Sequence, residues 1–368
     1  MNRFLSQKFR FYSFVCIALL LYVHGYNLRS TYLTPYSTVD EPLSFTSFIE
    51  YFLANGALRF RIPMLFIISG YIYALQDSKP YGERIKKRFS TLIVPFLIWS
   101  AAGLAVTYLW QQSPLTAQAV KDAQLDQFGD NRPYEQLGWQ AMLPRWLLRP
   151  VSFQLWFIRS LFIYNVLYPV IKWAVTKYPA FWFPLIFLFW HTIYSFFFME
   201  GTGLFFFSLG VWLNKSNYPI HKKPAWFSHY LSWLFFVGIS IIKTFMAFEL
   251  EPQTALTEFV LYILHDVSIA SGLLAIWFSG DTAVKWFMKR KWFVWATSFS
   301  FIIYALHVPL IHYATRLAFI YLRSFANYRL LTYFIIPVFI LLFCIAAGAV
   351  FRRLWPKGYR VATGGRGF

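Results

Sequence analysis

The sequence predicts an all-α membrane protein, a bundle of about ten transmembrane helices with both termini cytoplasmic. Three observations lead there. Of 368 residues, 58% are hydrophobic and only 13% are charged, about half the share of charge in a soluble domain, and the mean hydropathy is +0.48. A soluble core of that composition would lack the polar sequence to cover itself. Ten apolar runs punctuate the chain, and its basic surplus sorts to one side of them. The two cysteines, Cys16 and Cys344, fall inside apolar runs, which suggests neither a disulfide framework nor a metal cluster.

A helix rising about 1.5 Å per residue needs around 20 apolar residues to cross about 30 Å of hydrocarbon. The runs lie at approximately 11–27, 60–76, 89–110, 154–172, 180–198, 202–214, 227–248, 257–279, 292–313 and 329–350. The first ends in Tyr26-Asn27-Leu28-Arg29, without the small residues of a cleavage site, so it is expected to remain as a helix. The second carries Pro63 in its first turn, where proline is tolerated. The third follows the basic stretch Arg84-Ile85-Lys86-Lys87-Arg88, and the fourth begins at Gln154-Leu155-Trp156. The sixth has only 13 residues and is expected to be tilted, kinked or continuous with the fifth. Residues 1–350 then form one polytopic domain with an external loop at about 111–153, and 351–368 form a basic cytoplasmic tail.

The 34 Lys and Arg exceed the 15 Asp and Glu by 19. With the amino terminus inside, 22 of the basic residues and only Asp77, Glu83 and Asp281 of the acids fall on the inner face. The outer face has ten of each sign, Arg29 among them. The whole surplus is therefore predicted to be cytoplasmic, as the positive-inside rule expects. Topology explains the charge, and no nucleic-acid partner is implied.

Ionisable groups inside spans are costly enough to need a partner, a wet cavity or a function. His24 lies 14 residues beyond Arg10, about 21 Å along a helix, and His307 about 24 Å past Lys291 by the same rise. A histidine titrating near neutrality can remove a proton from a hydroxyl; the alternative is a packing histidine with a satisfied hydrogen bond. Arg59 and Arg61, at the mouth of the second span, can attract an anionic group or snorkel to headgroups. Ser69-Gly70 allow close helix approach. The stretch Arg84 to Arg88 is either a topology determinant or a holder for the phosphates of a nucleotide-bearing donor. Arg159 can meet a carboxylate or line a cavity. Lys243 and Glu258 are expected to form a structural ion pair, His265 and Asp266 to face different sides of their helix, and His191 and His312 to serve packing. The motifs of P-loop ATPases, serine-hydrolase elbows and zinc sites are absent from the sequence.

In order and spacing, several blocks resemble the acyltransferase family 3 integral membrane proteins over nearly the whole chain. They are Leu20-Leu21-Tyr22-Val23-His24, Arg59 to Tyr71, the basic stretch leading to Leu92-Ile93-Val94-Pro95-Phe96, Leu155-Trp156-Phe157-Ile158, Phe207-Ser208-Leu209-Gly210, and Ser300 to His307. The resemblance implies a bacterial inner (plasma) membrane O-acyltransferase. It would move an acyl group, most often acetyl, from cytoplasmic acyl-CoA to a hydroxyl of a surface carbohydrate or glycolipid. It implies a catalytic or acyl-handling role for His24, a contribution from Arg59, and donor binding around Arg88. Ser13 stands where members often have Arg or Lys, and Thr91 where a second arginine is usual.

The candidate catalytic residues are therefore His24, Arg59 and Arg61. The candidates for substrate binding are Ser69, Trp156, Arg159, Tyr304 and His307, and for donor binding Arg84, Lys86, Lys87 and Arg88. No resident cofactor or metal is expected, and acyl-CoA enters as a substrate. The alternative is a non-enzymatic exporter of a glycan or lipid, which needs a cavity but no base.

Overall fold

The computed structural model describes residues 2–27, 34, 36–130, 132–193, 195–196, 198–252 and 254–367; Leu28 and Arg29 lie outside them. The chain is 77% helical. In order the helices are α1 (Arg3–His24), α2 (Phe45–Tyr51), α3 (Arg61–Ala74), α4 (Tyr81–Arg88), α5 (Val94–Gln111), α6 (Pro114–Ala123), α7 (Trp139–Leu147), α8 (Trp156–Val166) and α9 (Tyr168–Lys177). There follow α10 (Pro179–Ile193), α11 (Gly201–Lys215), α12 (His229–Glu249), α13 (Ala255–Ser279), α14 (Asp281–Phe287), α15 (Lys291–Thr297), α16 (Ser300–Leu322), α17 (Tyr328–Leu354) and α18 (Pro356–Ala362). Two π-helical stretches, Phe52–Ala57 and Phe89–Ile93, follow α2 and α4. A two-residue hairpin pairs Phe196 with Met199.

Among the described residues every predicted apolar run contains helix, but the runs are not equivalent. Six stretches are long and apolar enough to cross a membrane: α1, Phe45–Ala74, Tyr81–Gln111, α12, α13 and α17. A seventh is the pair α15 and α16, bent by 61°. The remaining three predicted spans fall on α8 with α9, on α10 and on α11, where the single helices have 11, 10, 15 and 15 residues. Fifteen residues cover about 22 Å, short of a full crossing. Many large apolar side chains point outward, among them Ile335, Phe339 and Leu342 on α17, a stable arrangement where the surrounding medium is hydrocarbon.

The chain divides into two compact units. The first holds Met1–Met64, Ile220–Val294 and Ala318–Phe339. Here α1 packs on the π-helical stretch 52–57, and α12 packs along α13, with Ser240 and Ser268 hydroxyls 3.1 Å apart. Gly272 is needed because a Cβ there would come within 2.7 Å of the Phe236 ring. At the far end of α1 the Asn27 amide donates to Glu50 at 3.1 Å, and Arg329 clamps Glu50 and Glu41, both at 3.1 Å. At the near end, buried Lys8 meets Asp281 at 2.6 Å over the face of Trp277.

The second unit holds Leu65–Pro219, Trp295–Leu317 and Ile340–Phe368. Its α3 and α11 meet backbone to backbone: a Cβ on Gly70 would sit 2.2 Å from the Phe207 carbonyl, and one on Gly210 2.1 Å from that of Ile67. That contact explains both Ser69-Gly70 and Leu209-Gly210, since only glycine lets two helices approach so closely. In α16 the backbone leaves helical geometry at Val308, before Pro309. Proline has no N–H to give, so carbonyls in the preceding turn lose their donors. Gln154 replaces them, its Nε2 donating to Ala305 at 3.0 Å and Val308 at 3.2 Å. The tail folds back on this unit: Trp99 donates to the Ala362 carbonyl at 2.8 Å, and Arg352 to that of Gly367 at 2.9 Å.

Candidate active site

The sharpest polar cluster lies in the first unit. The π-helical stretch Phe52–Ala57 places Asn55 inside the unit, 1% exposed, and π-helical turns are frequent at functional sites. Two cations converge on Asn55. Arg59 donates to its side-chain oxygen, and the Lys243 ammonium donates to its carbonyl at 2.6 Å and lies 3.2 Å from Nδ1 of His265. Arg61, 2% exposed, donates through Nε to the Leu58 carbonyl. Arg59 is within electrostatic range of both Arg61 and Lys243, while Asp266 is the one carboxylate acting on Lys243 among the described residues.

Two donors in this cluster have no acceptor among the described residues: Arg61 Nη1 and Asn55 Nδ2. A buried cation without an acceptor is costly in a low-dielectric interior. The two idle donors, beside the charges of Arg61 and Lys243, thus make a place suited to negative charge. His24 ends α1, half-buried, three residues before the Asn27 amide that Glu50 holds. The expected Lys243–Glu258 ion pair does not form. Glu258 is exposed, and buried Lys243 on α12 turns to the Asn55 carbonyl and to His265 of α13.

The substrate-binding candidates all belong to the second unit. Ser69 is half-buried beside the Gly70 contact. Trp156 is half-buried against Phe66, ring centroids 6.0 Å apart. Arg159 donates to the Leu148 carbonyl and lies 3.9 Å over the Phe198 ring. Burial lifts the Glu200 carboxyl to about 7 although Arg159 opposes the shift. The Tyr304 hydroxyl donates to the Gln154 carbonyl at 2.7 Å, and His307, fully buried, places Nδ1 2.9 Å from the Ile303 carbonyl. Gln154 and Tyr304 therefore brace the α16 kink. His191 and His312 pack on Phe187 and Phe153.

The donor-binding candidates split by exposure. Arg84 is buried, donating to Asp77 at 3.0 Å and to the Tyr73 carbonyl at 2.9 Å. Lys86 and Lys87 are exposed, and Arg88 is half-buried over the Tyr73 ring. Asp77 also binds Lys172 at 2.8 Å, Lys215 at 2.5 Å and the Tyr168 hydroxyl at 2.7 Å. Burial by itself would raise the Asp77 carboxyl; the bonds from Lys172, Lys215 and Tyr168 outweigh it and hold it well below the usual range. Three cations share one carboxylate, so the surroundings of Asp77 stay basic. At Thr91, where the resembled family often has arginine, the chain supplies one from elsewhere: Arg366 of the tail donates to the Thr91 carbonyl at 2.8 Å. Burial, with Arg88 nearby, lowers the Arg366 guanidinium to about 10, which leaves it charged at neutral pH.

Sequence reasoning missed Asn55, Gln154, Asp77 and Arg366. Asn55-Gly56 interrupts an apolar stretch, which was a usable signal for the first. The others pair with residues remote in sequence. Among the described residues no three His, Cys, Asp or Glu side chains are grouped to hold a metal ion.

The family model for the acyltransferase 3 domain matches residues 14–351. The succinoglycan biosynthesis protein ExoH of Rhizobium meliloti is 26% identical over 377 residues, covering 100% of this chain and 94% of that protein. No solved structure matches. The chain is thus a multi-pass membrane transferase and belongs to acyltransferase family 3.

Proposed function

We propose that the protein is an O-acyltransferase that moves an acyl group, most often acetyl, from acyl-CoA to a hydroxyl of a surface polysaccharide or its lipid-linked form. The carrying observation is the buried cluster of Arg59, Arg61, Lys243 and Asn55, with idle donors at Arg61 and Asn55, in the unit whose first helix ends in His24. The name of ExoH as a succinoglycan biosynthesis protein favours a polysaccharide acceptor. We take the membrane to be the bacterial plasma membrane and the basic face, with both termini, to be cytoplasmic.

In this reading His24 removes the proton of the acceptor hydroxyl as its oxygen bonds to the thioester carbonyl carbon. The carbonyl oxygen becomes an oxyanion, and the idle donors of Arg61 and Asn55, with the fields of Arg59 and Lys243, stabilise that charge. Collapse re-forms the carbonyl, breaks the carbon–sulfur bond and releases the CoA thiolate, which takes up the proton. Lys86, Lys87, Arg88 and Arg366 hold the donor's phosphates. Arg84 is left to structure by its bond to Asp77.

The test uses full-length protein in nanodiscs with labelled acetyl-CoA and a polysaccharide acceptor. His24→Ala is expected to abolish label transfer while remaining inserted and folded. Wild-type transfer by that variant, or movement of glycan without thioester consumption, would overturn the reading.

A further inference from the structure

Residues of the 111–153 stretch in the second unit line an open cavity of about 710 Å³, within the range of roughly 300–1,000 Å³ found for small-molecule sites. Its walls come from the outer end of α5, from α6 and from the stretch that follows. The stretch is braced: Arg145, 4% exposed, grips Asp126 through two bonds of 2.8 and 3.0 Å. Asp126 also accepts from the Asp130 amide at 2.9 Å, and the Tyr134 amide donates to Gln111 at 2.9 Å. A ligand entering such a preformed site orders little chain on binding.

The lining is chemically distinct from both cationic clusters. Lys121, Arg132, Asp126 and Asp130 line the cavity, and both carboxylates are already paired, Asp126 with Arg145 and Asp130 with Arg132. Arg132, by hydrogen bond and charge, holds Asp130 at about 2, and burial pushes the Tyr134 phenol up to about 12; neither titrates near neutrality. The wall also carries the hydroxyls of Thr107, Tyr134 and Tyr313, with those of Thr107 and Tyr313 2.8 Å apart, beside the Gln118 amide and the apolar Ala117, Leu125 and Val151. A site whose carboxylates are already paired, with hydroxyl and amide groups beside an apolar wall, suits a neutral polyhydroxyl compound.

We propose that this cavity is a subsite for uncharged sugar residues of the acceptor glycan. The inference rests on the acyltransferase reading for the identity of its ligand. The probes are maltotetraose, cellotetraose and a β-galactan tetramer, followed by saturation-transfer NMR on the full chain in nanodiscs, with an oligogalacturonate as the charged control. Wild type is expected to bind at least one neutral oligosaccharide and to discriminate against the charged one. Ala117→Trp, which fills the cavity, is expected to weaken binding about tenfold or more, and Gln118→Ala, on an exposed position, about threefold; acyl-CoA binding and acceptor-independent thioester hydrolysis should be unchanged in both. Failure of wild type to bind any neutral probe, or binding unaltered in both variants, would overturn the subsite. If wild type binds sugar, Ala117→Trp does not, and neither transfers acetyl, the subsite stands and the transferase reading of its purpose fails.

Discussion

Two cationic clusters in this molecule look alike in composition and differ in how they are closed. Around Asp77, three cations and a tyrosine hydroxyl converge on one carboxylate. Around Asn55, Arg59 donates to its side-chain oxygen, Lys243 to its carbonyl and Arg61 to the Leu58 carbonyl, and among the described residues Arg61 and Asn55 retain donors with no acceptor. In the first arrangement the cations share one carboxylate, which ties α9 and α11 to the turn before α4. The second is incomplete, and incomplete buried polarity is where a transferase can accommodate charge that exists only during reaction.

If that contrast holds, the largest effect belongs to the open cluster. Arg61→Met is expected to lower kcat by about 10²–10³-fold, the size of a lost oxyanion donor, with little change in thermal stability. Lys243→Met should reduce kcat about tenfold or more while leaving the KM for acyl-CoA near wild type; an unchanged kcat would place Lys243 with structure. Asp77→Asn reverses the pattern. It leaves three cations without their shared carboxylate and should cost about 1–3 kcal/mol of stability, read as a lower Tm in nanodiscs, with a smaller change in kcat.

Smaller effects sharpen the division of labour among the basic residues of and around α4. Replacing Lys86 and Lys87 together by Gln should raise the KM for acyl-CoA about three- to tenfold and flatten its dependence on salt. Arg366→Gln should act in the same direction if the tail arginine serves at Thr91. The least effect is on pH dependence. The Asp77 carboxyl sits below its unfolded range, so its contribution to stability is present above about pH 4 and is lost as pH falls below it. Glu200 behaves oppositely. Its carboxyl is raised from 4.5 to about 7, so the folded state holds the extra proton and stability declines as pH rises between those values. Glu200→Gln should remove that decline in Tm.

The membrane class was legible because hydropathy and charge are sums over short windows, and each run from α1 to α17 carries its own signal. His24, Arg59 and Arg61 stood out for the same reason: each is a polar residue in or beside an apolar run. The short predicted span at 202–214 was legible too, and α11 has only 15 residues. The Lys243–Glu258 pairing was not, because helix positions and sequence proximity do not say which side chain turns inward. Lys243 is buried and Glu258 is exposed.

By itself the sequence determined the solvent this protein lives in, the sorting of its charges and the kinds of residue able to do chemistry. The tertiary structure alone decided who meets whom. Lys243 finds Asn55 across 188 residues, Gln154 finds Ala305 across 151, and Arg366 finds Thr91 across 275. The physical reason is that transfer free energy and helical periodicity are local and additive, whereas hydrogen bonds and ion pairs depend on the angles and distances that only packed helices set.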